Sequence, residues 1–303
     1  VEPSLAVSIE AAGAHIDRAP LPRIFALYFN QNQQPIFTDI SVRKALRAAI
    51  DKEKIVADVL FGYGRTIDGP LPFLQGETID EGTATTSTNY VEDAQKILES
   101  GGWVPNALGV YEKTNKTKKT ITTLEFSIAI PDVPELVQAG ELVKSDWEKM
   151  GARVTLRVFE PSSFATEILS PRKYDVLLYG QIIGRTPDPF AYWHSSQRNA
   201  PGLNVALYAN KKADSLLESV RKESDEVERT TLLSQFVTEI ENDAPAVFIY
   251  SPDFLYATSN KVRGIHTGLI TTESERFLGI ENWYIESERV WKWFSDRMAR
   301  PNE

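Results

Sequence analysis

Between positions 179 and 204 the chain gathers side chains that can grip a small polar molecule: Tyr179, Gln181, Arg185, Asp188, Tyr192, Trp193 and Asn204, with His194 and Arg198 among them. Rings can stack on a ligand, while amides, a guanidinium and a carboxylate can orient it through hydrogen bonds. The segment follows an apolar run at 174–179 (YDVLLY) that reads as a buried strand. Segments leaving strand ends in an α/β sheet are where ligands commonly bind. The seven residues named first are therefore the candidate substrate-binding set. Two of them have ordinary alternatives. Asp188 stands between Pro187 and Pro189, where a carboxylate accepts backbone N–H bonds of a turn. Trp193 suits packing as well as stacking on a ligand.

Covalent and metal chemistry have little to work with. Cysteine is absent, and His15, His194 and His266 are far apart, so no metal site and no thiol nucleophile is expected. No G-x-S-x-G elbow, dinucleotide fingerprint or phosphate loop occurs, and no nucleotide or other cofactor is predicted. The 42 acidic residues include no pair singled out by its context for glycosidase chemistry. A net charge of −9 argues against nucleic-acid partners. No apolar run reaches membrane-spanning length. The first residues, VEPSLAVSIEAAG, lack an initiator methionine and a signal-peptide pattern, so a processed or internal start is expected.

The elements that must position these groups follow from periodicity. IFALYF (24–29) and PAVFIY (245–250) are continuous apolar runs, as in strands buried on both faces. Residues 41–62 read as two helices, the second capped by Asp51. A long Gly-, Pro- and Thr-rich loop (65–90) precedes a helix closed by Gly101. A hairpin with a basic tip (Lys113, Lys116, Lys118, Lys119) then feeds a strand running to Ile130, and the lysines read as solvated. Leu136, Ala139, Val143, Trp147 and Met150 keep helical spacing, and Val154, Leu156 and Val158 alternate as a strand. Strand, helix and strand predict a βαβ unit with parallel strands. Residues 162–169 read as a short helix, 180–209 hold no clear element, and 211–221 and 225–241 are amphipathic helices. Short strands and turns follow, and SERVWKWFSDRMAR (287–300) ends the chain as a helix.

Several motifs in order carry a resemblance: PIFTDISVRKALRAAIDKEKIV with GYG and GPLP, YVEDAQKILESGGW, ELVKSDWEKMGARVTLRVFEPSSF, DVLLYGQ with PDPFAYWHSS, and EIENDAPAVFIY. The chain resembles the family 5 (dipeptide/oligopeptide-type) extracellular solute-binding proteins of ABC importers. The resemblance implies an α/β, type II periplasmic-binding-protein lobe, with a mixed β-sheet flanked by helices and most of the other lobe lacking. It places residues 1–22 as a crossover from a first lobe, 23–251 as the second lobe, and 252–303 as a return to the first lobe. Residue 1 would then fall mid-protein, with a signal or lipoprotein segment upstream. It further implies binding without catalysis, an extracytoplasmic location, a peptide or other small polar solute in an interlobe cleft, and ABC permease transmembrane subunits as partners. A hydrolase acting on peptides or glycans, or an interaction module of the same fold, are the competing readings. Relatives that bind free peptide amines carry an acid three positions before the Asp-Pro pair of this loop. Here that position is Arg185, which suits a carboxylate, phosphate or sugar hydroxyl better than an amine.

Overall fold

A strand apolar at every position must be covered on both sides, and residues 24–29 sit at the centre of the architecture for that reason. The computed structural model describes residues 1–72, 74, 89–115, 117 and 119–285. Lys116, Lys118, most of the predicted 65–90 loop and the predicted C-terminal helix lie outside the described residues. In chain order the elements are α1 (Pro3–Ala11), β1 (His15–Pro20), β2 (Arg23–Phe29), α2 (Ile40–Ala48), α3 (Lys52–Leu60), β3 (Gly64–Thr66) and α4 (Tyr90–Ser100). Next come β4 (Val104–Pro105), β5 (Tyr111–Asn115), β6 (Thr120–Thr123), β7 (Glu125–Pro131), α5 (Pro134–Lys149), β8 (Arg153–Phe159) and α6 (Pro161–Phe164). The chain continues with β9 (Val176–Ile182), α7 (Phe190–Trp193), α8 (Lys211–Lys222), α9 (Glu226–Asp243), β10 (Ala246–Thr258), β11 (Val262–Arg263) and β12 (Tyr284–Ile285).

Two compact units form, one from residues 22–252 and one from 1–21 with 253–303. In the larger unit the strand order is β10-β2-β9-β7-β8, with β3 also paired to β10. β2 is antiparallel to both β10 and β9, whereas β9, β7 and β8 are mutually parallel, so the sheet is mixed. Leu27, Phe29, Val176, Leu178, Phe126, Ile128 and Ile130 point to one face, against residues of α2, α3, α4 and α5. Ile24, Ala26, Tyr28, Leu177 and Ala129 point to the other, against Phe164, α8, α9 and residues 193–208. The parallel β7–β8 pair joined by α5 is the predicted βαβ unit, with Phe126 opposite Val154. The smaller unit pairs β1 with the second half of β10, His15 opposite Thr258, and β11 with β12.

Four expectations change. The strand predicted to run from the hairpin to Ile130 breaks at Leu124, whose N–H bonds to Tyr111 O (2.8 Å) while its carbonyl accepts from Arg153 N (2.9 Å). β6 thereby joins a separate small sheet with β4 and β5. Lys113 is not merely solvated: its Nζ lies 2.7 Å from Asp39 Oδ2, which also accepts from Trp103 Nε1. Asp39 caps α2 through Ser41 N. Burial pushes this carboxyl up, but the bonds from Lys113, Ser41 and Trp103 together hold it below its ordinary range. Third, residues 180–209 do contain short helical turns, at 190–193 and 195–197. Fourth, β10 passes beyond residue 250 through Pro252.

Trp147 anchors the α5 face. It is fully buried, meets Phe126 edge-on at 5.3 Å, and its indole N–H donates to Leu46 O at 2.9 Å. Trp147→Ala is expected to lower the unfolding free energy by about 3–5 kcal/mol, seen as a reduced urea midpoint with an unchanged far-ultraviolet spectrum.

Candidate functional site

The last residues of β9 alternate between the two faces. Tyr179 and Gln181 lie on the α8–α9 side, opposite Ala26 and Ile24 of β2. Gly180 lies on the other side, directly under the Phe25 ring. A Cβ at Gly180 would come within 2.7 Å of that ring, which stacks on Tyr250 at 4.9 Å. The absence of a side chain at this position is therefore what lets the β9 end pass beneath an aromatic pair.

Tyr179 is half-buried, and its ring stacks on Phe164 with centroids 6.1 Å apart. Gln181 is 4% exposed, and its Oε1 accepts no hydrogen bond among the described residues. The Tyr28 hydroxyl is likewise buried without a partner among them. Burial, and then proximity to Tyr192, drive its ionisation far above the ordinary tyrosine range. Tyr192 is half-buried and its hydroxyl donates to Ile182 O at 2.7 Å, tying the loop back to the strand it leaves. Arg185 is exposed in the turn at 184–187. Leu71, Ile183, Pro189, Tyr192 and Trp193 border a crevice too narrow to admit solvent.

Asp188 has an occupation within the protein. Arg221 of α8 grips it with Nε at 3.1 Å from both oxygens and Nη2 at 2.6 Å, and Phe190 N–H donates to it at 3.3 Å. Those Arg221 bonds are the main reason its carboxyl is held below the usual range. The same guanidinium lies 3.8 Å from the centre of Phe190, which stacks on His194 at 4.1 Å and 12°. His194 Nδ1 accepts from Ser196 N–H (3.1 Å), and its Nε2 faces Glu218 at 3.6 Å. Asp214 accepts from both Ser195 N and Ser195 Oγ, so α8 holds the loop at several points.

Trp193 and Asn204 belong beneath the site and not on its surface. Trp193 is 1% exposed and packs among Tyr28, Tyr208 and Phe248, so neither ring face is open to a ligand. Asn204 is fully buried. Its amide donates to Trp193 O (3.2 Å), His194 O (3.1 Å) and Tyr208 O (2.9 Å), and its Oδ1 accepts from Tyr208 N–H (3.1 Å). Every polar position of that side chain is thus taken by backbone. Sequence reasoning grouped seven residues by proximity along the chain. Four of them, Tyr179, Gln181, Arg185 and Tyr192, keep an atom available or exposed, and three brace the loop. It missed Tyr28, whose place in an apolar run hid its hydroxyl, and Phe190, Arg221 and Arg229. Arg229 donates to Pro187 O at 2.6 Å. No group of three His, Asp or Glu placed to hold a metal occurs among the described residues.

Two outcomes follow from this geometry. Asn204→Ala strands the carbonyls that its amide now satisfies, and is expected to cost about 1–3 kcal/mol in urea unfolding. The Asp188 carboxyl ionises more readily folded than unfolded. It therefore contributes stability above the unfolded carboxyl pKa of about 3.9, and that contribution disappears as pH falls through its lower folded value. Asp188→Asn should accordingly flatten the acid limb of a stability–pH profile and leave its alkaline limb unchanged.

Residues 2–203 match the family described as "Bacterial extracellular solute-binding proteins, family 5 Middle". The chain is 28% identical over 246 residues to the oligopeptide-binding protein AppA of Bacillus subtilis, covering 78% of this chain and 43% of AppA. The solved AppA–nonapeptide complex superposes with a TM-score of 0.72 at 24% identity, over 93% of this chain and 55% of that one. NikZ of Campylobacter jejuni, solved with Ni(L-His), gives 0.71 at 26% identity, over 93% and 56%. The chain thus spans about half the length of the relatives it matches. The larger unit, a mixed sheet flanked by helices, has the architecture of one lobe of a type II periplasmic binding protein. The chain belongs to family 5 of the bacterial extracellular solute-binding proteins.

Proposed function

We propose that this chain supplies one wall of the solute-binding cleft of a longer, extracytoplasmic receptor, and that the receptor hands its solute to the permease subunits of an ABC importer. The family match over residues 2–203 carries this reading. The chain would be the receptor's C-terminal portion: residues 22–252 serve as the second lobe, while 1–21 and 253–303 belong to the first. The partial coverage of every relative described above supports that division. The work is binding without chemistry. The one carboxylate on the candidate loop, Asp188, is neutralised by Arg221. Closure around a solute is a population shift toward the state that the solute contacts most.

On this reading Tyr179, Gln181, Arg185 and Tyr192 meet the ligand, and Asp188, Trp193 and Asn204 fix the loop that carries them. AppA was solved with a nonapeptide and NikZ with Ni(L-His), so ligand chemistry varies among relatives of equal similarity. Arg185 sets the preference here. A guanidinium repels a free α-amine and pairs with carboxylate or phosphate. Calorimetry on the full natural protein separates the possibilities. N-acetylated peptides are expected to bind about tenfold or more tightly than their free-amine counterparts, the worth of one charge-assisted contact. Arg185→Glu should reverse the order. Tight binding of unmodified dipeptides by the unsubstituted protein would sink the ligand preference, and full affinity in the present chain alone would sink the shared-wall mechanism.

A further inference from the structure

A second polar cleft lies at the opposite end of the β2–β9 pair from the candidate loop. β9 is 7 residues long, so the two ends are about 20 Å apart at the usual strand rise. The cleft, of about 420 Å³, opens beside Asn30, where β2 ends, and Arg172, ahead of β9. That volume falls within the range of small-molecule sites, roughly 300–1,000 Å³.

The cleft's chemistry is one-sided. Asn32, Gln33, Ser170, Arg172, Asn199 and Leu207 line it, and no carboxylate does. Asn32, Gln33, Ser170 and Asn199 are exposed, and their side chains make no hydrogen bond among the described residues. Arg172 is fixed in place, with a left-handed backbone (φ 56°). Its Nε donates to Arg198 O (3.2 Å), Nη1 to Leu169 O (2.7 Å) and Nη2 to Gly202 O (2.6 Å). Carbonyls orient a guanidinium without cancelling its charge; three of its five N–H bonds go to them, and it also bonds to the Tyr174 hydroxyl, which leaves the outer edge for a ligand. Lys173 and Arg198, neighbours in sequence of lining residues, are exposed, and none of the three cations forms an ion pair among the described residues. Asp175, three residues beyond Arg172, does not line the cleft and accepts from Ser127 N and Ser127 Oγ. The whole chain carries a net charge of −9, so a cleft lined by one cation, amides and no carboxylate stands apart from that balance. Asn30 holds the rim by accepting from Asn32 N and Gln33 N while donating to Arg172 O.

We infer that this cleft is a binding site for a small phosphorylated polyol, a dianion facing Arg172 with its hydroxyl groups on the surrounding amides. Guanidinium N–H groups match phosphate oxygens, while the amides of Asn32, Gln33 and Asn199 both donate and accept, as a hydroxyl requires. The inference does not depend on which solute the family site takes, or on transport. The test uses the full chain, with glucose 6-phosphate, glucose and inorganic phosphate as probes in calorimetry. Saturable binding of glucose 6-phosphate is expected, weakening as salt rises. Gln33→Glu and Asn199→Asp place a carboxylate on the exposed wall without touching Arg172, and each should weaken binding by about tenfold. Tyr179→Ala, in the candidate loop, should leave it unchanged. No saturable binding, equal binding of glucose, equal binding of inorganic phosphate, or indifference to both carboxylate substitutions would each overturn the assignment.

Discussion

Register between β2 and β9 is the constraint on which the rest of the larger unit depends. Every residue of β2 faces a residue of β9, from Arg23 opposite Ile182 to Phe29 opposite Val176. Both strands are buried on both sides, so alternate residues enter different cores. Side chains repeat every two positions along a strand, and a slip of one would exchange the contents of the two layers. If β2 slipped against β9, Tyr28 would turn toward Trp147 and Phe29 toward Trp193. Helices of different shape cover the two faces, so only one register fills both. That register also fixes which β9 side chains emerge toward α8 where the strand ends, and so decides that Tyr179 and Gln181, not Leu178 and Gly180, serve the candidate site.

Much of this was legible from periodicity. The apolar runs of β2 and β10, the βαβ unit and the Asp51 cap, whose carboxylate accepts from Lys54 N at 2.9 Å, follow from local rules that the fold obeys. What escaped depended on partners far away in sequence. Leu124 divides one alternating stretch between two sheets because its N–H and its carbonyl find different strands. β10 passes through Pro252, an ordinary strand breaker, because that residue falls between the stretch paired with β2 and the stretch paired with β1. Lys113 reads as a solvated charge until Asp39, 74 residues earlier, is brought beside it.

Site residues show the same division. Aromatic and polar types in one short segment point to the loop as a candidate, but composition cannot separate a residue placed to touch a ligand from one that holds the loop. Asn204 and Trp193 have the right chemistry for recognition and spend it on the protein itself. Asp188 does likewise through Arg221, which lies on a helix that sequence reasoning treated as a separate element. Conversely, Tyr28 carries a hydroxyl without a partner among the described residues in the middle of a core strand, where residue type alone signals packing.

The clamp around Asn204 also bears on how such a receptor diverges. The loop's base is fastened twice: through Asn204 to three carbonyls, and through Asp243, which accepts from the Tyr208 hydroxyl at 2.7 Å and from Asn210 at 2.8 Å. Nothing in that fastening involves residues 183–187. Mutation can therefore rewrite the loop's tip without disturbing the fold beneath, and on the proposed reading that would change the solute. By the same logic, a segment exchanged from the end of β9 through Asn210 would carry the tip together with its fastening. The lobe in effect separates a heritable frame from an editable surface, and Asn204 marks the boundary between them.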